Sequence, residues 1–514
     1  MYLTQGLHRA VQETPDEVMT VCGTRQHTVR EVAGRVARLA GALRTLGVGS
    51  EDRVAILALN SDRYHEYLFA VPWADAVLNP INIRWSAEEI AYCLRDSASR
   101  VLLIDDAFIP MLPGLYEAVP TLAEVIHIGD GPTPSGTNAY EDLIAGAEPI
   151  PDVRRGGHAI AGLFYTGGTT GRAKGVMLSH ANLHVSWLGS TATGYGCQRG
   201  SRTLHAAPMF HLGDLAAWGA TVLVAGSHVF LPAFSPLDTL SAIATHQVTD
   251  VMLVPAMIQM LIDHPEIGKH DLSSLRRVLY GAAPIPQALL ERAMTAVPNA
   301  SFIQAYGMTE LSAVASLLSP ADHDNGRLQS AGRAAPHSEI RVVDPLGTPM
   351  SPGAVGEIVV RGGHVMLGYW NKPDETDAAV RDGWMHTGDA GYIDEQGYLY
   401  VVDRLKDMII TGGENVYSAE VENAVARHPA VAQCAVIGVP DPDWGERVHA
   451  VVVLHAETTL ALDELRAHTK THIAGYKAPR SMEIVETLPL SGAGKVIKSK
   501  LREHYWSTVD RHVN

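Results

Sequence analysis

The sequence predicts an α/β protein of parallel βα sheets, with a small α+β unit at its C-terminal end. Three observations lead there. Helical stretches alternate with short, fully apolar runs through the N-terminal part, the pattern of strands buried on both faces by crossover helices. At 514 residues the chain exceeds what one hydrophobic core usually supports, so two or more domains are expected. Towards the end, the pattern reads as helix 419–427, strand 431–439, strand 448–454 and helix 463–473, a compact α+β unit.

In chain order, Thr28 and Glu31 form a T-x-x-E capping box, and Val32, Val36, Leu39, Leu43 and Leu46 then recur at helical spacing until Gly47. Residues 53–59 (RVAILAL) read as a buried strand. Ser86 and Glu89 begin another helix, and 101–105 (VLLID) is the next strand. The stretch 129–138 is a surface loop, and neither an internal repeat nor a low-complexity segment interrupts the chain. With 46% hydrophobic and 19% charged residues the composition is that of an ordinary globular protein. Forty Lys and Arg stand against 56 Asp and Glu, a formal charge of −16, which opposes non-specific binding to nucleic acid or anionic membrane. An anionic substrate must therefore be met by local basic groups. Cys22, Cys93, Cys197 and Cys434 are scattered without C-x-x-C spacing, which points away from zinc and towards a reducing compartment. No basic-then-apolar leader, no uncharged apolar run of membrane-spanning length and no terminal SKL are seen, so a cytoplasmic protein without an integral membrane segment is expected; a homodimer is left open.

The stretch that organises the chain is LFYTGGTTGRAKGVMLSHAN, 163–182. An apolar strand end is followed at once by Thr166, Gly167, Gly168, Thr169, Thr170, Gly171 and Lys174. Glycines let the backbone turn its N–H groups inward, and the hydroxyls and one ammonium complete a concavity suited to a phosphate. It is neither Walker A nor a G-x-G-x-x-G fingerprint.

YTGGTTGRAKG resembles the signature loop of the adenylate-forming superfamily: acyl-CoA synthetases, adenylation domains of peptide synthetases and firefly-type luciferases. Most members have Ser or Thr where this chain has Gly167. FIQAYGMTE, 302–310, matches the family's Y-G-x-T-E core, and LPLSGAGK, 488–495, matches its P-x-x-x-x-G-K lysine. The resemblance spans nearly the whole chain in the expected motif order. It implies a large N-terminal adenylation domain, 1–402, that includes a strand-rich subdomain, and a small mobile lid, 403–514, hinged at Asp403.

Carried over residue by residue, it implies that Thr166, Gly167, Gly168, Thr169, Thr170 and Lys174 hold the β- and γ-phosphates of ATP. Gly281, Ala282, Ala283, Gln304, Ala305, Tyr306 and Gly307 would line adenine and the acyl group, and Asp389 and Arg404, with Lys406, would take ribose and phosphate. Thr309 would donate to the α-phosphate, while Glu310, with Thr166, would hold Mg²⁺. His211 would line the passage between acyl pocket and thiol tunnel, and Lys495 would bridge the carboxylate and the α-phosphate. After domain rotation, Gly412 and Gly413 would let the pantetheine arm of coenzyme A pass. The expected activity is AMP-forming ligation of a small carboxylic acid to CoA. Alternatives are an acyl-AMP ligase that loads a carrier protein and a non-catalytic acyl-adenylate binding protein. An acyl pocket is expected between residues 211–218, 254–260 and 281–283. It is apolar, with no acid placed to hold an amino group, so a medium-chain, branched or aromatic acid is expected.

Overall fold

The computed structural model describes residues 1–166, 172–405, 407–412, 414–490 and 496–506. Both capping boxes form. The Glu31 amide donates to Thr28 Oγ1 at 3.3 Å and the Thr28 amide donates to Glu31 Oε2 at 2.7 Å, opening helix Val29–Thr45; Ser86 and Glu89 repeat the arrangement before helix Ala87–Asp96. Val32, Val36, Leu39 and Leu43 are buried, as the helical spacing requires. Strands Arg53–Leu57 and Val101–Ile104 stop a little short of their apolar runs. The reason is Asp105, whose carboxylate takes the Leu59 amide at 2.6 Å and the Ala107 amide at 3.0 Å, pulling both segments out of the ladder.

Among the described residues the strands form four sheets. In an eight-stranded sheet, Ile160–Thr166, Val77–Pro80, Arg53–Leu57, Val101–Ile104, Glu124–His127 and Asn138–Ala139 run parallel, and Lys174–Ser179 folds back antiparallel on Ile160–Thr166. A nine-stranded sheet has a parallel centre of Ser301–Tyr306, Arg277–Gly281, Asp250–Leu253, Arg202–His205, Ser227–Phe230 and Val18–Cys22, with antiparallel strands at both ends. Helices Val29–Thr45, Asp62–Trp73 and Leu212–Leu223 contribute to the largest core cluster, which joins these layers.

The strand-rich part is a five-stranded antiparallel sheet containing Gly356–Arg361, Trp384–Ile393 and Leu399–Arg404. A separate C-terminal unit follows with its own sheet and core. Its helices Ser418–Val425 and Leu462–Lys470 and strands Val431–Asp441 and Gly445–Leu454 fall where the apolar pattern put them. The strands outrun the expected spans because they form one long antiparallel ladder that continues through polar residues to Asp441 opposite Gly445. No helix among the described residues is long and apolar enough to cross a membrane.

Candidate active site

Thr166 and Lys174 face each other across the ladder of strands Ile160–Thr166 and Lys174–Ser179. The loop residues Gly167, Gly168, Thr169 and Thr170 lie outside the described residues. The Lys174 ammonium pairs with Glu375 and sits 4.8 Å from the centroid of the Tyr369 ring. The Tyr369 hydroxyl in turn donates to Glu310 Oε1 at 2.9 Å. Glu310 is buried, and burial pushes its carboxyl above the ordinary glutamate value, against the pull of its own backbone amide, the Tyr369 hydroxyl and the cations Arg404 and Lys174. Its backbone is fixed too. The Met366 amide donates to Glu310 O at 2.8 Å and the next residue, Leu367, donates to Met177 O at 3.0 Å, which docks the turn Thr309–Leu311 on strand Lys174–Ser179. Thr309 thus begins this turn beside the phosphate-loop ladder.

The parallel strands of the nine-stranded sheet end at the same place, the C-terminal edge where open α/β sheets bind ligands. Gly281 pairs with Ala305 there, and a Cβ on Gly281 would stand 2.1 Å from Ala305 O, so the residue has to be glycine. Ala282 follows with φ of 66°, and Ser312 and Ala313 adopt φ of 49° and 83°. Three non-glycine residues in the left-handed region around one cleft are backbone strain of the kind concentrated at functional sites. Ala283 lies beside Ala282, and Gln304 precedes Ala305 on strand Ser301–Tyr306. Gly307 leaves no room either: a Cβ would meet Ala313 O at 2.1 Å.

The Tyr306 hydroxyl donates to Asp389 Oδ2 at 2.8 Å, and Arg404 Nε stands 3.3 Å from Asp389 Oδ1. Asp389 and Arg404 are ladder partners on strands Trp384–Ile393 and Leu399–Arg404, which fixes their spacing. Burial, with the negative Asp389 beside it, pushes the Tyr306 hydroxyl far up, so it stays a donor. His211 sits in extended conformation just before helix Leu212–Leu223, its ring 4.1 Å from that of Phe210. Of the expected pocket wall, Trp218 turns into the core and donates to His65 at 2.9 Å, while Val254 and Met257 are core residues; Met260 is exposed. The strand Asp250–Leu253 ends before them, and helix Pro255–Ile262 sends its apolar face into the core cluster behind the sheet.

At the C-terminal unit, Asp403 is buried and accepts the Ser418 amide at 2.5 Å and the Ser418 hydroxyl at 2.6 Å on Oδ2, and the Arg404 amide at 2.7 Å on Oδ1. Ser418 opens helix Ser418–Val425, so one carboxylate ties the last strand of the strand-rich sheet to the first helix beyond it. Gly412 has φ of 60°, donates to Trp444 O at 2.9 Å, and would carry a Cβ only 2.4 Å from the Trp444 indole. Lys406, Gly413 and Lys495 lie outside the described residues. Sequence reasoning passed over Tyr369, Glu375, Ser418 and Trp444. The first two sit in GYWNKPDE, 368–375, where nothing local marks them as partners of Glu310 and Lys174.

The AMP-binding enzyme family profile matches residues 7–370, and the profile of that enzyme's C-terminal domain matches 420–495. The chain belongs to the AMP-binding enzyme family. Within the adenylate-forming superfamily it falls among the acyl-CoA synthetases. This AMP-binding enzyme is 42% identical over 481 residues to a feruloyl-CoA synthase of Amycolatopsis, covering 93% of the chain and 94% of the relative. It is 36% identical over 509 residues to the fatty acid–[acyl-carrier-protein] ligase ScoC of Streptomyces coeruleorubidus, covering 98% and 96%. Among solved structures, the anthranilate CoA ligase AuaEII in complex with anthranoyl-AMP superimposes with a TM-score of 0.92 at 26% identity, over 98% of this chain and 97% of that one.

Proposed function

We propose that this enzyme joins a carboxylic acid to coenzyme A at the expense of ATP through an acyl-adenylate. The observation that carries the reading is the pairing, around one cleft, of the Lys174–Tyr369–Glu310 group at the phosphate-loop ladder with the Tyr306–Asp389–Arg404 group. One end suits a polyphosphate and its counter-ion, the other a nucleoside. In the first half-reaction a carboxylate oxygen attacks the α-phosphorus of ATP, and the bond to the bridging oxygen of pyrophosphate breaks. In the second, a thiol sulfur attacks the acyl carbon, AMP leaves with the C–O electron pair, and the thiol proton passes to solvent.

Such a reaction is mainly charge neutralisation and alignment in a dry site. Lys174 exchanges Glu375 for the β- and γ-phosphates, with Thr166 and the glycine–threonine loop Gly167, Gly168, Thr169 and Thr170 as donors. Thr309 donates to the α-phosphate. Asp389 accepts both ribose hydroxyls, Tyr306 stacks on adenine, and Gly281, Ala282, Ala283, Gln304, Ala305 and Gly307 leave room for the flat ring and the acyl group. His211 lines the way from acid to thiol. Glu310 and Thr166 fit Mg²⁺: they are hard oxygen donors, and a buried carboxyl held above its usual pKa gains from a dication. When bound, that ion spreads the charge of the departing pyrophosphate.

In this reading residues 1–402 hold ATP and the acid, and 403–514 form a lid that turns at Asp403. Lys495 serves the first half-reaction from this lid; Gly412 and Gly413 serve the second, with Arg404 and Lys406 as phosphate contacts. The four free cysteines support a reducing, cytoplasmic setting. The likeness to ScoC supports a second acceptor, a carrier-protein thiol. Pyrophosphate release from a panel of medium-chain, branched and aromatic acids, followed by thioester capture on free CoA or on holo carrier protein, tests both. CoA thioester from an aromatic or medium-chain acid is the expected result; acyl-AMP discharged only by carrier protein moves the assignment to the second reading.

A further inference from the structure

We propose that the cavity between helices His180–Ala192 and Leu212–Leu223 and the nine-stranded sheet is the far end of the acid site, shaped for an acid with an acceptor oxygen remote from its carboxyl. The inference rests on the acid:CoA ligase reading above and specifies its substrate class.

The cavity holds about 70 Å³, several times the ~10–15 Å³ one water needs. It lies where three core clusters fail to close on one another, with Ala216 and Ala217 on one side and Leu279 and Ile303 on the other. Leu279 and Ile303 each stand two residues before the pair that meets at the reaction cleft, Gly281 and Ala305, and so point to the same face of the sheet. Arg277, two residues earlier again, closes the floor with Asp250. At ~3.3 Å per residue the cavity therefore spans roughly 7–13 Å from the cleft. Its upper wall is movable. Met252 reaches Gly213, where a Cβ would meet its Cε at 2.7 Å, so an unbranched thioether stands behind the first helical turn after His211.

The chemistry of the occupant is written in helix His180–Ala192. Trp187, Ser190 and Thr191 line the cavity at i, i+3 and i+4, and the indole Nε1 and both hydroxyls are buried without a hydrogen-bond partner. Trp187 is 2% exposed and its ring is wedged on Gly219, where a Cβ would stand 2.3 Å from the indole, so it cannot swing to another acceptor. Helical Ser and Thr commonly return their hydroxyl to the carbonyl four residues back; Thr221, on the facing helix, does so to Ala217 O at 2.8 Å. Ser190 and Thr191 do not. Thr203, Thr193 and Arg277, which also line the cavity, are paired: Thr203 bonds Thr221 at 2.6 Å, Thr193 bonds Ser190 O at 2.6 Å, and Arg277 bonds Asp250 and Ser201. Indole is a donor only, so an occupant that satisfies this row presents an acceptor: hydroxyl, alkoxy or carbonyl oxygen. Sites with buried donors reject the analogue that lacks the partner far more strongly than apolar pockets reject a missing methylene.

The test uses the full-length enzyme and matched acids: cinnamic acids with a ring hydroxyl or methoxy against the ring-methyl compound, and a medium-chain acid with a terminal hydroxyl against its terminal-methyl isostere. The readout is kcat/KM for pyrophosphate release. The wild type is expected to favour the better oxygenated acid of a pair at least tenfold. Ser190→Ala and Thr191→Val together are expected to bring that ratio towards one, by loss with the oxygenated acid and gain with the apolar one. Trp187→Phe should do so for the methoxy acid, which only accepts. Because Trp187→Phe risks misfolding, the serine and threonine variants, which keep volume, decide the matter. A wild type without discrimination, or variants with an unaltered ratio, overturns the inference while leaving the ligase reading intact. If no acid releases pyrophosphate, the ligase reading itself is lost and this inference with it.

Discussion

Asp389→Asn tests the proposed nucleoside end of the cleft. In the free enzyme the carboxylate accepts one hydrogen bond from Tyr306 at 2.8 Å and has Arg404 at 3.3 Å, and it is 8% exposed, so its charge acts in a poorly solvated place. Asparagine keeps the shape and one acceptor, loses the charge and turns one acceptor into a donor that opposes a ribose hydroxyl. A hydrogen bond to a charged group is worth about 1.5–3 kcal/mol, which is about 10- to 150-fold in affinity. Because ribose is held alike in ground and transition states, the loss should appear in KM for ATP, with kcat within a few-fold. Tyr306→Phe leaves the carboxylate in place and removes only the bond that orients it, so it should cost less, about fivefold for a net hydrogen bond of about 1 kcal/mol. Since Tyr306 and Asp389 share that bond, the second substitution should cost less in the Asp389→Asn background than alone. ATP–pyrophosphate exchange at saturating acid, with ATP varied, measures all three. An Asp389→Asn enzyme with wild-type KM for ATP and a loss confined to kcat would falsify the ribose assignment and leave Asp389 as scaffolding.

Four further outcomes are expected. Lys495→Ala should lower pyrophosphate release by about 100- to 1000-fold while thioester formation from supplied acyl-adenylate largely survives; equal loss in both half-reactions would refute the division of labour. Asp403→Pro should impair the thioester half and spare adenylation, and Asp403→Ala, which also frees Ser418 but leaves the backbone mobile, should be milder; a proline enzyme that equals the alanine one in both halves removes Asp403 as pivot. Burial holds the Glu310 carboxyl protonated above its ordinary 4.5, so the acid limb of kcat/KM for ATP should lie above that value and move down as Mg²⁺ is raised; a limb indifferent to Mg²⁺ contradicts Glu310 as ligand. His65 is held neutral by burial, its pKa pushed down to about 3, so the native state binds fewer protons than the unfolded chain between about pH 6.5 and 3, and stability falls as pH drops through that window. Urea unfolding at pH 7 and 5 should show a steeper decline for wild type than for His65→Phe, by up to about 1.4 kcal/mol per pH unit; parallel declines speak against it.

What was legible in the sequence was what acts locally. Capping boxes at Thr28 and Ser86 need only residues three apart, and buried strands such as Val101–Ile104 announce themselves by continuous apolar character. Glu310 could be singled out by resemblance, but Tyr369, its hydrogen-bond partner 59 positions away, could not, because a lone tyrosine in a chain with 17 carries no signal of where a sheet will put it. The strain at Ala282 was equally silent: glycine would have flagged a left-handed turn, and alanine hides one. Trp218 shows the limit of apolar patterning. Helix Leu212–Leu223 is apolar almost all round, so periodicity does not say which face meets the cavity and which the core, and only the fold sends Trp218 to His65 while Ala216 and Ala217 face the void.

A chain of net charge −16 that handles a polyanion has to keep its cations local, and the way it does so bears on mechanism. Four described basic groups around the cleft and the lid come already paired: Lys174 with Glu375, Arg404 with Asp389, Lys498 with Glu422, Arg502 with Asp407. Lys174 and Glu375 are each about a third exposed, so their pair is held weakly and opens to an arriving anion at little cost. On the proposed role of Lys174, phosphate would not meet a bare ammonium there. It would displace a carboxylate, and the gain would be the difference between two ion pairs rather than one whole pair. Binding would thereby be restrained in the ground state, and what Lys174 does not give outright would be left to charge that develops later, on the departing pyrophosphate. A site whose cations are held by exchangeable acids would thus be matched to the reaction's products rather than to ATP at rest, which is the asymmetry that catalysis requires.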